Sequence, residues 1–258
     1  MAMDAWFPRS LAAGLALLPL LAVRAFADDG VGELLARMDA RYAARQRAGA
    51  LPDLVALGDI ALAIQPDDAE VEWRLARAFF AVAADQPNRI LRRALAGQAM
   101  EWAQRARQHA PQRVEGHYYY AVATGVYALS IGIVRALTDG VAGKIESAAE
   151  RALAVDPDFL DGAPGVVLGR YYFSLPWPKR DLEQSRRLLD AVVQRHPDKL
   201  IARVYLAETC QALGDDARAR AELEAVLAAP ASPPDAGEPP PQDLARKAWH
   251  DWFGDGTR

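Results

Sequence analysis

The chain has 258 residues, 52% of them hydrophobic and 25% charged, with 30 Lys plus Arg against 34 Asp plus Glu for a net charge of −4. That is ordinary for a globular protein of one large or two small domains. The acidic balance, with no clustered basic tract, excludes the grip on phosphates that a nucleic-acid binder needs.

Residues 1–27 read as a secretory signal peptide. A short start ending at Arg9 leads into the 13-residue apolar run Leu11 to Val23, and Ala25-Phe26-Ala27 supplies a small-x-small cleavage site. The run is shorter than the ~20 apolar residues a membrane span needs. Asp4 and Arg24 are atypical of such a leader, and a short N-terminal anchor is the alternative. With the leader cleaved, no membrane span is expected and the protein is placed in the periplasm. No cysteine lies near the cleavage site, so a lipid anchor is not expected.

Beyond the leader, helical periodicity runs almost throughout. Helices are predicted over Val31 to Arg47 (stripe Leu34, Leu35, Met38, Tyr42) and Leu51 to Ile64. Asp68 caps a third, Ala69 to Ala84, broken by Asp85-Gln86-Pro87-Asn88, and Ile90 to His109 is its partner. Val114 to about Leu137 follows, then the turn Thr138-Asp139-Gly140, then Lys144 to Val155. Val166 to Phe173 leads into the proline-bounded loop Leu175 to Arg180, and Leu182 to Arg195 returns. Leu200 to Leu213, the turn Gly214-Asp215-Asp216 and Ala217 to Ala229 form the last pair. Residues 231–242 are a Pro-rich linker, extended and semi-rigid. Asp243 caps a final helix, Leu244 to Phe253, too short to stand alone, which docks as a cap or serves as a partner-binding tail.

Alanine-rich helix tails stop at Pro66, Pro111, Pro157, Pro197 and Pro230, at steps of 45, 46, 40 and 33 residues. The last step is close to the ~34 residues of a tetratricopeptide helix pair, and the others are that unit with insertions. In the last pair Leu206, Ala207, Gly214-Asp215, Ala219, Leu223 and Val226 fall on the pattern's small and apolar positions, and Cys210 takes its usual Tyr position. The fold class is therefore all-α: a tetratricopeptide-like α-solenoid of antiparallel helix pairs over residues 28–230, with 243–258 as a capping helix. Stacked pairs share a continuous core that no single pair can make.

No enzyme is expected, because no nucleophile motif, phosphate loop or convergent titratable set stands out. His109, His117, His196 and His250 show no i, i+3 or i, i+4 pairing, so neither a metal site nor any other cofactor is expected. Cys210, the lone cysteine, cannot close an internal disulfide; on an apolar helix face it reads as a small buried hydrophobe.

The aromatics are less ordinary. Tyr118, Tyr119, Tyr120 and Tyr127 lie on one first helix, and Tyr171, Tyr172 and Phe173 on the next, with Trp177 in the loop after it. Consecutive aromatics step ~100° around a helix and cannot all face the core. Tyr118, Tyr120, Tyr127, Tyr171 and Trp177 are candidate walls of a groove for an apolar ligand, with packing between repeats as the alternative. Arg135 and Arg170 on the same helices are candidates for a carboxylate. Leu129 to Leu137 is apolar all round, which points to burial, to a hydrophobic cavity or to a protein contact.

The segment from Glu115 to Pro230 resembles the T component associated with tripartite (TRAP) transporters. The residues that carry the resemblance are Gly116-His117-Tyr118-Tyr119, Leu153 to Phe159, Gly162-Ala163-Pro164, Leu168 to Tyr172, Leu175-Pro176-Trp177-Pro178 and Leu206-Ala207-Glu208. The resemblance implies an array of helix pairs that can assemble as a trimer around a pore, with a hydrophobic cavity, and that binds a periplasmic solute-binding protein. A similar repeat pattern occurs in eukaryotic regulators of microtubule dynamics, from which the export signal points away. The function expected is a non-enzymatic periplasmic protein that binds a solute-binding or other envelope protein and a small apolar or carboxylate ligand, as accessory to a TRAP-type transporter. A general envelope scaffold for complex assembly is the alternative.

Overall fold

The computed structural model describes residues 30–230 and 239–254. The leader 1–27 and most of the linker 231–242 lie outside the described residues. Those residues form twelve helices and no strand. The chain divides at Pro66, the first of the helix-ending prolines, into two compact units, within the stretch 28–230 read as one repeat domain.

The first unit contains α1 (Gly30–Ala43) and α2 (Ala50–Ile64), which pack on each other. Leu34 and Met38 on α1, with Leu54, Leu57 and Ala61 on α2, are buried. Their spacing of three, four and seven residues is the apolar stripe of an amphipathic helix.

The second unit contains α3 (Ala69–Asp85), α4 (Arg89–His109), α5 (Val114–Ile131), α6 (Ile133–Thr138), α7 (Val141–Val155), α8 (Ala163–Ser174), α9 (Leu182–Arg195), α10 (Leu200–Ala212), α11 (Asp216–Ala228) and α12 (Pro241–Phe253). Four of these starts are written in the sequence as side-chain caps. Asp68 accepts from the amide of Glu70, Asn88 from Ile90 and Leu91, Asp181 from Gln184, and Asp215 from Arg218. Each cap satisfies an amide that the helix leaves without a partner, worth about 1 kcal/mol.

Sequential neighbours pack throughout this unit, with the short α6 lying against α5 and α7. The first helices also touch in alternation: α3 with α5, α5 with α8, α8 with α10, and α10 with α12. That pattern of successive pairs with aligned first helices is the tetratricopeptide arrangement.

One predicted helix is divided. The stretch 114–137 is broken at Gly132, whose φ of 92° and ψ of 144° end α5 and begin α6. An L side chain rarely adopts that backbone, and apolar periodicity cannot reveal it because the residues on both sides remain apolar.

Two cores fill the unit. Around α3, α4, α5, α7 and α8, the buried set is Ala76, Ala103, Tyr119, Tyr120, Ala121, Ala148, Ala149 and Leu168, with Trp73, Phe80, Trp102 and Phe159 packed on it. Around α9 to α12 it is mostly aliphatic, with Leu189, Val192, Val193, Leu200, Ile201, Val204, Leu206, Leu223 and Val226 buried beside Tyr205 and Cys210. The last helix joins this second core through Ala245 and Ala248, with Leu244, Trp249, Trp252 and Phe253 against it. It begins at Pro241, so Asp243 lies in its first turn rather than at its cap.

Candidate partner-binding surface

The surface is built on α8, and three glycines determine which way that helix faces. A Cβ on Gly165 would lie 2.6 Å from Val192 Cγ2, and one on Gly169 would lie 2.6 Å from Leu189 Cγ. Gly162 is pressed against Val192 in the same way. At ~100° per residue these positions share one face, held tightly to α9. Val167, Arg170 and Tyr171 are therefore carried to the opposite face.

On that face Arg170 forms an ion pair with Glu208 of α10. Its guanidinium also lies 4.4 Å from the centre of the Tyr205 ring and 5.1 Å from that of Phe173. Arg180, from the proline loop, covers Phe173 at 4.6 Å. Such stacking fixes the guanidinium plane more firmly than a salt bridge alone. The loop is closed by main-chain bonds from Lys179 and Arg180 to the Pro176 carbonyl and from Asp181 to the Tyr172 carbonyl. It projects Trp177, whose side chain is 89% exposed.

On the flank towards α7, one carboxylate serves two phenols. Tyr171 donates to Glu146 Oε2 at 3.2 Å and Tyr172 to Glu146 Oε1 at 2.7 Å. Burial, reinforced by the Glu146 charge and hydrogen bond, pushes Tyr171 up to about 12. Tyr172 is raised further, by burial first and then by its bond to Glu146. Both hydroxyls are therefore donors at any physiological pH.

The seven sequence candidates divide by place. Tyr118 lies edge-on to Tyr119 at 5.1 Å and to Phe159 at 5.3 Å, inside the helix packing. Tyr120 is buried beneath the Arg107 guanidinium, 4.4 Å from its ring centre. Tyr127, half-buried, accepts from Arg93 at 3.3 Å. Arg135 is exposed on α6 and pairs with Asp139 one turn on, at 3.2 Å. Arg170 and Tyr171 lie on α8, and Trp177 lies in the loop that follows it.

Sequence reading missed Phe173, Arg180, Glu208 and Glu146 as members of this surface. Glu208 is far away in sequence, and a charged residue on a helix is ordinarily solvated; only the alternation of first helices brings it to Arg170.

A cavity of about 360 Å³ lies behind α8, lined by Leu153, Pro157, Gly165, Leu188, Val192 and His196 among others. His196 Nε2 lies 2.9 Å from Asp158 and Arg195 lies 3.5 Å from it. Elsewhere Asp67, Glu72 and His109 bring ligand-type atoms within 4.8 Å of one another. Glu72 is fully buried; Arg105 Nε lies 2.8 Å from its Oε1 and His109 Nδ1 2.7 Å from its Oε2. Arg105 also lies 3.5 Å from Asp67, so the protein's own guanidinium already answers both carboxylates. Cys210 is buried, and burial raises its thiol to about 11, far from the activated thiolate a nucleophile needs.

The family model described as Regulator of microtubule dynamics protein 1-3 matches residues 34–182, more than half of the chain. No curated protein matches. Among solved structures, the chain is similar to TTC0263, a thermophilic TPR protein of Thermus thermophilus, at TM-score 0.57 and 19% identity, covering 77% of this chain and 90% of that one. It is also similar to two structures of MamA. One has TM-score 0.50 and 14% identity, covering 69% of this chain and 88% of that one. The other has TM-score 0.51 and 14% identity, covering 76% and 91%. At these identities the likeness is one of fold: tetratricopeptide-like helix pairs. The microtubule regulators, set aside above because of the N-terminal leader, are thus the family matched. The match runs through the helical repeats, over residues 34–182.

Proposed function

The chain belongs to the regulator of microtubule dynamics protein 1-3 family, and from that premise we propose that it is a non-enzymatic scaffold that receives a partner protein on the outward face of α8 and its proline loop. The observation that carries this is Trp177, an almost fully exposed tryptophan in the loop that also supplies Arg180 to the pre-ordered Arg170–Phe173–Arg180 stack. Tryptophan and arginine dominate the binding energy of protein interfaces, and a stack already ordered loses little entropy on binding. The donors Arg170 and Arg180 suit a partner that offers a carboxylate beside an apolar side chain. Nothing at this surface is arranged as nucleophile, base and oxyanion donor.

The leader-like segment 1–27 supports an envelope setting, and the resemblance to the TRAP T component supports a solute-binding protein as the partner, with a trimer and a small apolar or carboxylate ligand as its further implications. The general envelope scaffold differs in its partner and in having no small ligand. Affinity capture with the full chain and with Trp177→Ala, followed by quantitative mass spectrometry, tests the reading. We expect a specific envelope protein to be lost, at least tenfold, from the Trp177→Ala sample. A solute-binding protein in that place supports the transport role, and another envelope protein supports the general scaffold. Identical partner sets from the two chains would remove α8 as the binding surface.

A further inference from the structure

At the corner where α3 gives way to α4 and α5 to α6, large aliphatic side chains stand in solvent. Ile90 is 78% exposed, Leu129 73% and Val134 72%, with Leu91 and Ile133 also exposed. Ile90 and Leu91 open α4, Leu129 closes α5, and Ile133 and Val134 open α6. The ends are tied together: Arg89 Nε donates to the Ser130 carbonyl, and Arg93 donates to the Tyr127 hydroxyl at 3.3 Å with its guanidinium 5.5 Å from that ring's centre. The five aliphatics thus belong to one corner.

The charge there opposes that of the whole chain. Arg89, Arg92, Arg93 and Arg135 surround the aliphatics, against Asp85 and Asp139. Arg135 is matched by Asp139. The other three bind neutral oxygens: Arg89 the Ser130 carbonyl, Arg92 the Gln86 carbonyl at 2.7 Å, and Arg93 the Tyr127 hydroxyl. A chain of net charge −4 carries its local cationic surplus where its aliphatics protrude.

We propose that this corner, Ile90, Leu91, Leu129, Ile133 and Val134 within a rim of Arg89, Arg92 and Arg93, docks on an anionic membrane surface. Protruding aliphatics with cations around them are the pattern of an interfacial contact, in which the apolar tips enter the acyl boundary and the guanidiniums meet lipid phosphates. Helix ends suit a bilayer surface better than a protein groove, because the tips project and none carries the rigid aromatic anchor typical of a protein hot spot. The net negative charge of the chain would be repelled by anionic lipid, so the cationic rim would favour contact through this corner. The surface is separate from the α8 face, and neither proposal depends on the other.

The test places an environment-sensitive NBD fluorophore on the full chain through Leu129→Cys, and through Glu224→Cys on α11 as control; Cys210 is buried and stays unlabelled. Vesicles contain either phosphatidylcholine alone or 30% phosphatidylglycerol. The probe at 129 should shift to the blue and be quenched by spin-labelled lipid with anionic vesicles only, while the probe at 224 stays unchanged. Val134→Glu should abolish the response, and Arg89→Gln with Arg93→Gln should weaken the partition about tenfold or more, each near-surface arginine being worth roughly that factor or somewhat less. Silence at 129 with anionic vesicles overturns the proposal, as does an equal response at both positions or with neutral vesicles. A shift at 129 without vesicles also overturns it. If it grows with protein concentration a second copy covers the corner, and if it needs cell extract a protein does.

Discussion

The α3–α8 core and the α9–α12 core solve one packing problem with different residues. In the first, alanine seams (Ala76, Ala103, Ala121, Ala148, Ala149) let helix backbones approach, and large rings of Trp73, Tyr119 and Phe159 fill the gaps. The Trp73 and Tyr119 rings are parallel at 6.1 Å. In the second, the large buried side chains are mostly leucine and valine (Leu189, Val192, Val193, Val204, Leu206, Leu223, Val226), set among the alanines Ala202, Ala207 and Ala219. Close approach leaves no room for added atoms, whereas aliphatic packing depends on the volume already there. The first core should therefore fail on enlargement and the second on truncation.

The largest effect expected is in the second core. Leu206→Ala removes a side chain with no exposed surface and should cost about 3–4 kcal/mol, read by urea denaturation with unchanged slope. A cost below about 1 kcal/mol would mean that α10 can collapse onto the cavity. Next is enlargement in the first core. A Cβ on Gly116 would lie 2.7 Å from the backbone nitrogen of Arg107, so Gly116→Ala must push α5 off α4 and should cost about 2–3 kcal/mol. The contrasting change, Ala219→Gly in the second core, removes one methyl and adds chain entropy, for about 1 kcal/mol.

A smaller effect is set by pH. Tyr171 holds its proton up to about pH 12 in the fold against 10.0 ordinarily. A folded-state value above the unfolded one means that the stability gained is complete below pH 10 and is lost as pH rises from 10 through 12. Absorbance at 295 nm should show these tyrosines ionising later than the rest, and Tyr171→Phe should remove part of that late phase. Ionisation of all the tyrosines together near pH 10 would contradict the Glu146 bond. The smallest effect is at Cys210, whose buried thiol should stay unmodified by a thiol reagent until the protein unfolds.

The helix pairs were legible because their signals are local. Proline stops, the cap at Asp68 and the Leu206 to Val226 pattern each act within a few residues. Leu129 to Leu137 shows where local signals end: its even apolarity pointed to burial or contact without deciding between them, and the structure leaves Leu129, Ile133 and Val134 in solvent on either side of a break at Gly132. The α8 surface was half-visible. Arg170, Tyr171 and Trp177 stood out by type, but Glu146 and Glu208 join them only through contacts 25 and 38 residues away in sequence. The α5 tyrosines could not be separated from the α8 group by type, because identical rings serve packing in one place and a surface in the other.

Hydrogen exchange on the intact Gly116→Ala chain tests most directly the claim that this unit is a row of helix pairs held by their neighbours. The account predicts that amide protection falls in α4, α5 and their immediate neighbours while α10, α11 and α12 keep theirs, since each pair touches only the next. A uniform loss of protection from α3 to α12 would show a single cooperative globule and contradict it.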